Sequence, residues 1–180
     1  MFDKEAFTKL KNDTAQDSEF FKQIVNGIVV HYSRELDEFV ELVRTYLQMI
    51  KENTMQTYDD ESLQMQIIKL PTILYFTGNG LEDIGAESDL AAYKRKDLYH
   101  RVINECSGTI PEKKAQAEMA TETEGMMEAV YDRAYKKLKL KIDHAIKLLE
   151  SMKKVADMRI AKINKGRGGD EQTINNFGGR

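Results

Sequence analysis

The residues whose type and spacing could do chemistry in this chain are cations. Lys136, Lys137, Lys139, Lys141, Lys147, Lys153, Lys154, Arg159, Lys162, Lys165 and Arg167 crowd the stretch from Arg133 to Arg167. Only Asp143, Glu150 and Asp157 oppose them there. The chemistry they offer is electrostatic. An ammonium or guanidinium group held near a phosphate backbone releases condensed counterions, which gives salt-sensitive, sequence-independent affinity. A second cluster lies in YKRKDLYHR (93–101), where Lys94, Arg95 and Lys96 sit beside Tyr93 and Tyr99. Aromatic rings beside cations stack on unpaired bases, so this composition favours single strands over duplexes. Tyr131 and Tyr135 adjoin the main basic run, but their spacing also fits an apolar helical stripe.

Other chemistry finds little material. The histidines are His31, His100 and His144, and none lies in an HExxH or HxE pattern. Cys106 is the single cysteine, so a thiolate metal site cannot be built from this chain. The segment GNGLEDIG is glycine-rich but lacks a preceding strand and a lysine, and it reads as a turn rather than a phosphate loop. Asp59, Asp60 and Glu61 read as a solvated helix start favoured by the helix dipole. The expectation is a protein that is not an enzyme and uses no cofactor and no metal.

The 180 residues are 41% hydrophobic and 32% charged, with no Trp and two Pro. That is the composition of a soluble helical chain rather than a disordered one. The net charge of −3 hides a segregation. Up to Asp132 there are 14 basic and 25 acidic residues, a net of −11. From Arg133 to Arg167 there are 12 basic and 3 acidic residues, a net of +9, and the tail adds −1. Such a chain either pairs its halves, within or between subunits, or presents the basic half outward. One cysteine, no signal-like leader and no long apolar run predict a cytoplasmic protein with no membrane partner.

The elements that must position the cations read as helices. A helix from about Glu19 to Asn53 places Val29, Tyr32, Leu36, Phe39, Val43, Tyr46 and Ile50 on one face, with Val40 and Leu47 widening it. Asp59 or Asp60 caps the next helix, which carries Leu63, Ile67, Ile68 and Leu70 and meets Pro71. Gly78-Asn79-Gly80 reads as the main break, and a third helical region ends at Ser107-Gly108. Thr109-Ile110-Pro111-Glu112 has the pattern of a capping box with proline near the first position. The helix it opens is predicted to run to about Lys165, with Gly125 its weak point. Leu138, Ile142, Ala145, Leu149, Met152 and Ala156 give it a core or oligomer stripe, and Arg159 falls where an apolar residue is wanted, so packing should loosen there. At about 75 Å this helix would outrun a compact domain. Met119, Met126, Met127, Met152 and Met158 read as core filler. The expected fold is all-α, an elongated helical bundle with a long C-terminal coiled-coil-like helix. Its parts are a flexible N-terminus (1–17), a single helical domain (18–165) and a disordered tail (166–180) in which Phe177 stands alone. Within the domain, 18–108 is the acidic part and 109–165 the long basic helix.

GTIPEKKAQAEMATETE and YDRAYKKLKLKIDHAIKLLESMKKVADMRI resemble small helical proteins of tailed bacteriophages. The segment AIKLLESMKKVADMRIAK is similar to the end of the UvsY-type recombination mediators, over the last quarter of the chain. That resemblance implies an oligomeric helical accessory protein of recombination or replication in the host cytoplasm. Its partners would be single-stranded DNA, further copies of itself and a recombinase or host protein. The family's central basic, aromatic and glycine motif has its nearest counterpart in Tyr93–Arg101, which lacks the glycine. The alternative expectation is a phage structural or protein-interaction module, a virion component or host-factor adaptor built on coiled-coil contacts.

Overall fold

A computed structural model of the chain describes residues 4–52 and 59–174, with side chains described for 18–52 and 59–164. The expected turn before Asp59 lies largely outside the described residues, as does Phe177. Four helices account for nearly all of what is described: α1 (Lys4–Lys51), α2 (Asp60–Glu105), α3 (Ile110–Ala120) and α4 (Glu122–Ile174). Among the described residues there is no strand, and the fold is an all-α helical bundle with a long last helix. α1 starts well before the expected Glu19. α4 continues past Lys165 through part of the segment expected to be disordered.

Each long helix buries a stripe whose spacing is three and four residues, the repeat that keeps one face toward neighbouring helices. On α1 the buried positions are Val25, Val29, Leu36, Phe39 and Val43, with Tyr32, Tyr46 and Ile50 half-buried. Val40 and Leu47 are 40% and 57% exposed, so the stripe is narrower than its sequence suggests. On α2 the buried series is Leu63, Leu70, Ile73, Thr77, Gly80, Ile84 and Ala91. On α4 it is Val130, Ala134, Leu138, Ala145 and Met152, with Ile142, Leu149 and Ala156 half-buried between them. The stripe from Leu138 to Ala156 is thus a packing seam, as its spacing predicts. Of the methionines expected in the core only Met152 is buried. Met119, Met126, Met127 and Met158 are exposed.

The described chain forms two compact units, and neither follows the composition boundary at 108/109. The first comprises residues 1–34 and 76–141, so it takes the early part of α1, the later part of α2, α3 and the early part of α4. The second comprises the described residues of 35–75 and 142–174.

In the first unit α1 and α4 run parallel, because Lys137 meets Asn26 and Lys141 meets Ser33 further along both helices. α2 runs antiparallel to α4: Gly85 lies against Tyr135, and Arg95 pairs with Glu128. Gly78-Asn79-Gly80 is not a break, since α2 passes through it. A Cβ on Gly80 would lie 2.8 Å from Tyr32 Cγ and 2.9 Å from Tyr32 Cβ. The glycine is there for close helix approach, not for a turn. The real interruption is Thr121, between α3 and α4, rather than Gly125. The Thr121 hydroxyl donates to the carbonyls of Ala117 (2.9 Å) and Glu118 (3.3 Å), a back-bond that bends helices. Gly125 N–H already donates to Thr121 O at 3.0 Å, so the new helix is under way before that glycine.

The second unit is a three-helix bundle. Leu36, Phe39 and Val43 of α1, Leu63, Leu70 and Ile73 of α2, and Ala145 and Met152 of α4 form one buried cluster. Tyr46, Ile50, Ile67, Leu74, Leu148, Leu149 and Ala156 pack around it. Pro71 lies inside α2 on its exposed side, where the carbonyl its ring leaves unbonded can meet water. Ile68 is 68% exposed. Past Arg159, Ile160 and Ile163 are also exposed. α4 there has run beyond the start of α2, and the seam loosens where the sequence predicts.

Two caps end the loops. Asp59 caps α2: Ser62 N–H donates to Asp59 Oδ1 at 2.7 Å and the Ser62 hydroxyl to Oδ2 at 2.8 Å. Before α3, Glu112 accepts from Thr109 N–H (2.8 Å) and from its hydroxyl (2.9 Å). Gly108, at φ +127°, takes the left-handed backbone that this turn requires. The backbone N–H bonds, then the hydroxyl bonds, hold both carboxyls below the ordinary carboxylate range.

Three outcomes are expected. Gly80→Ala lowers stability by about 1–3 kcal/mol in urea unfolding, because the methyl meets the rigid base of Tyr32. Gly78→Ala, with nothing within 4 Å of its Cβ, leaves stability unchanged or raises it by up to about 1 kcal/mol. A depressed carboxyl contributes stability above its unfolded pKa and loses it as pH falls through its folded value. Asp59→Ala is therefore less stable than wild type at pH 7, and the gap narrows as urea melts are repeated toward about pH 2.

Candidate nucleic-acid interface

Apart from Lys141 and Arg159, the basic residues of the described part of the run on α4 lie on the sides of the helix that the seam leaves outside. Lys136, Lys137, Lys139, Lys147, Lys153, Lys154 and Lys162 are exposed, whereas Lys141 and Arg159 are half-buried. Lys165 and Arg167 fall within α4, and their side chains lie outside the described set.

These cations divide by what they touch. In the first unit Lys136 Nζ lies 2.7 Å from Asp132 one turn earlier. Lys137 donates to Asn26 of α1, and Lys141 donates to the buried Ser33 hydroxyl at 3.0 Å. The last contact is a structural one: a lysine stem runs over the seam and its ammonium satisfies a serine that is wholly buried. Ser33 was not singled out by sequence pattern. Its signal was position, since it falls beside Val29, Tyr32 and Leu36 in the α1 stripe. In the second unit Arg159 Nη1 lies 2.9 Å from Asp60 Oδ1, in the first turn of α2. A cation at a seam position is thus tied to an acid at a helix start.

Lys139, Lys147, Lys153, Lys154 and Lys162 have no ion pair or side-chain hydrogen bond among the described residues. Lys147 and Lys154 are seven residues apart and share one outer face of α4 in the second unit. Among the described residues no direct contact joins these five to the acidic part of the chain.

The second cluster is placed differently. Lys94, Arg95 and Lys96 are exposed on α2 in the first unit, beside Tyr93, which is 69% exposed. Arg95 reaches Glu128 at 2.9 Å, on the part of α4 that precedes the basic run. Arg95, Lys96, Tyr99, Ala92 and Glu128 line a recess of about 320 Å³. Tyr131 and Tyr135 are half-buried. Tyr135 lies against Gly85, and Tyr131 lines a recess with Tyr32 and Ile84.

A trough of about 750 Å³ lies between α1 and α4 on the first unit. Phe21, Val25, Ala129 and Leu140 give it an apolar floor, and Lys22, Arg133, Lys136 and Lys137 line its basic side. No group of three or more His, Cys, Asp or Glu side chains among the described residues is placed to hold a metal ion. No described helix is long and apolar enough to cross a membrane. Comparison of the chain with protein-family models, curated proteins and solved structures gave no match.

The Arg159–Asp60 pair is partly sheltered on the arginine side and open on the aspartate side, with 27% and 59% side-chain exposure. A double-mutant cycle with Arg159→Met and Asp60→Asn is expected to return a coupling of at most about 1 kcal/mol, smaller at high salt. Arg159→Met alone should be nearly neutral, because the methionine continues the apolar seam.

Proposed function

We propose that this chain is a non-enzymatic, oligomeric helical protein that binds single-stranded nucleic acid through the basic face of α4. Its role would be that of a phage recombination or replication accessory of the mediator kind, working in the host cytoplasm beside a recombinase or host protein. The observation that carries this reading is the set of exposed lysines without an acidic partner, Lys139, Lys147, Lys153, Lys154 and Lys162. Among the described residues none of these five makes a direct contact with the acidic part of the chain. Exposed Tyr93 beside Lys94 and Lys96 supports a contribution from base stacking. The resemblance of the C-terminal helix to the mediators points the same way.

A second reading, a structural or protein-interaction module, draws on a separate observation. Early α2 leaves Met65, Ile68 and Tyr75 61%, 68% and 67% exposed, with Lys69 the one charged residue between Leu63 and Tyr75, which suits a protein contact rather than a nucleic acid.

The test is fluorescence anisotropy with a labelled single strand of about 30 nucleotides and a matching duplex, each at two salt concentrations. The expected result is single-strand binding that weakens steeply with salt, with log K falling by about 0.7 for each phosphate contact per unit of log salt. Replacing Lys147, Lys153 and Lys154 by Glu should abolish it and leave far-UV helicity unchanged. Replacing Lys136 and Lys137 should cost less, since both already have partners on the protein. No binding of the wild type at low salt would overturn the reading.

A further inference from the structure

The trough between α1 and α4 lies wholly within the first unit, away from the lysines that carry the proposed function. It is lined from Ser18 to Asn26 on α1 and from Ala129 to Leu140 on α4. At about 1.5 Å per residue that is a length of about 12–16 Å, or two to three helical turns. Every lining residue belongs to one of these two parallel helices, so the trough has two walls and no roof. Its floor is apolar. Val25 is buried and Phe21 half-buried, but Leu140, inside the basic run KKLKLK, is 54% exposed on a side of α4 that the seam does not use. The rim is basic. Lys22, Arg133, Lys136 and Lys137 stand there against one acid, Asp132.

Floor and rim together narrow the occupant. The floor takes apolar side chains, and the rim takes anionic groups placed beside them. A nucleic-acid strand carries a phosphate at every nucleotide and stacks its bases on exposed rings. Here the one ring, Phe21, is half-buried, and Asp132 would face the phosphates. Three of the four cations also touch protein already: Lys22 lies 3.7 Å from Glu19, Lys136 2.7 Å from Asp132, and Lys137 donates to Asn26. A free fatty acid suits a pocket that encloses most of its surface, and this trough is open along its length. An amphipathic helix matches that shape, because it lays one apolar stripe into a groove and keeps its other sides in water. Acids flanking its stripe would recur three and four residues apart, the spacing of Arg133, Lys136 and Lys137 along α4. Arg133 is exposed and has no ion pair or side-chain hydrogen bond among the described residues. A partner carboxylate therefore meets it without displacing an existing contact.

We infer that the α1–α4 trough is a docking groove for an acidic amphipathic helix of a partner protein, whose apolar stripe lies on Phe21, Val25 and Leu140 and whose carboxylates meet Arg133, Lys136 and Lys137. This goes beyond the proposed function and does not depend on the binding of nucleic acid.

The test titrates the full chain, up to about 100 μM, into a labelled synthetic helical peptide of about 15 residues with Leu on one stripe and Glu on both flanks, read by anisotropy. Two further peptides carry Gln in place of every Glu, or Ser in place of every Leu. The acidic amphipathic peptide should bind, and each of the other two should bind at least about tenfold more weakly. Arg133→Glu combined with Leu140→Glu should weaken the first peptide by about tenfold or more, with unchanged far-UV helicity because both positions are exposed. Leu47→Glu combined with Lys51→Glu makes the same change of charge on the second unit and should keep the wild-type affinity. No binding of the acidic amphipathic peptide, equal binding of the peptide without Leu, or an unchanged affinity in the trough variant would overturn the inference. The labelled strand separates this inference from the nucleic-acid reading. The strand is expected on Lys147, Lys153 and Lys154, so the trough variant should retain it. A wild type that binds the strand but not the peptide, and loses the strand in the trough variant, would assign the trough to nucleic acid and overturn the inference. A wild type that binds the peptide but no strand supports the inference and removes only the nucleic-acid reading.

Discussion

Each long helix in this protein has a narrow stripe to bury, and the rest of the structure is arranged around that constraint. A fully buried Leu or Val contributes about 1.5–3 kcal/mol, whereas an exposed ion pair contributes about 1 kcal/mol at most. Leu36, Leu70, Ile84 and Leu138 are almost completely buried, while the ion pairs Glu41–Arg44, Asp97–Arg101 and Asp132–Lys136 lie largely in water. The seams therefore hold the helices together, and charge only decorates them. Where the seam is polar it is managed locally. Ser33 is satisfied by Lys141, and Arg159 closes the second unit's seam against Asp60.

That hierarchy bears on the charge segregation. A chain with a net of −11 in one part and +9 in another has a strong incentive to pair them. The helices nevertheless meet along their apolar stripes, and the lysines of α4 fall on the sides away from the seam. Helix geometry makes this nearly unavoidable. A residue that interrupts a three-and-four apolar repeat cannot sit in the same seam, so Lys147, Lys153 and Lys154 are turned outward by the burial of Ala145, Leu149 and Met152. Outward lysines then meet water, or whatever anion comes to them.

Where sequence reading and structure part, glycine and threonine explain most of the difference. Gly78-Asn79-Gly80 has the composition of a turn, yet Gly80 is a contact point beneath Tyr32. Composition cannot tell a glycine that bends the backbone from one that admits a neighbour, because both uses rest on the missing Cβ. Thr121 reads as an ordinary helical residue. Its hydroxyl and its N–H share the carbonyls of Ala117 and Glu118 at the point where α3 gives way to α4. The methionines misled for the opposite reason. Met is a good core residue and a good helix former, and its presence on a helix does not say which side it takes.

The helical class, the stripes on α1 and α4, the cap at Asp59 and the basic character of the last helix were all legible in the sequence. Each depends on residues within a few positions of one another, and a helix repeats its geometry over that range. Which stripe meets which was not legible. The parallel course of α1 and α4, the approach of Gly80 to Tyr32, and the pairing of Arg95 with Glu128 join residues far apart in the chain. The same holds for the two faces of early α2. Its apolar run is plain in the sequence, but only packing decides that Leu63, Leu70 and Ile73 are buried while Met65 and Ile68 stay exposed. Local periodicity determines what each helix must bury, and the three-dimensional arrangement determines which of those surfaces find a partner within one chain.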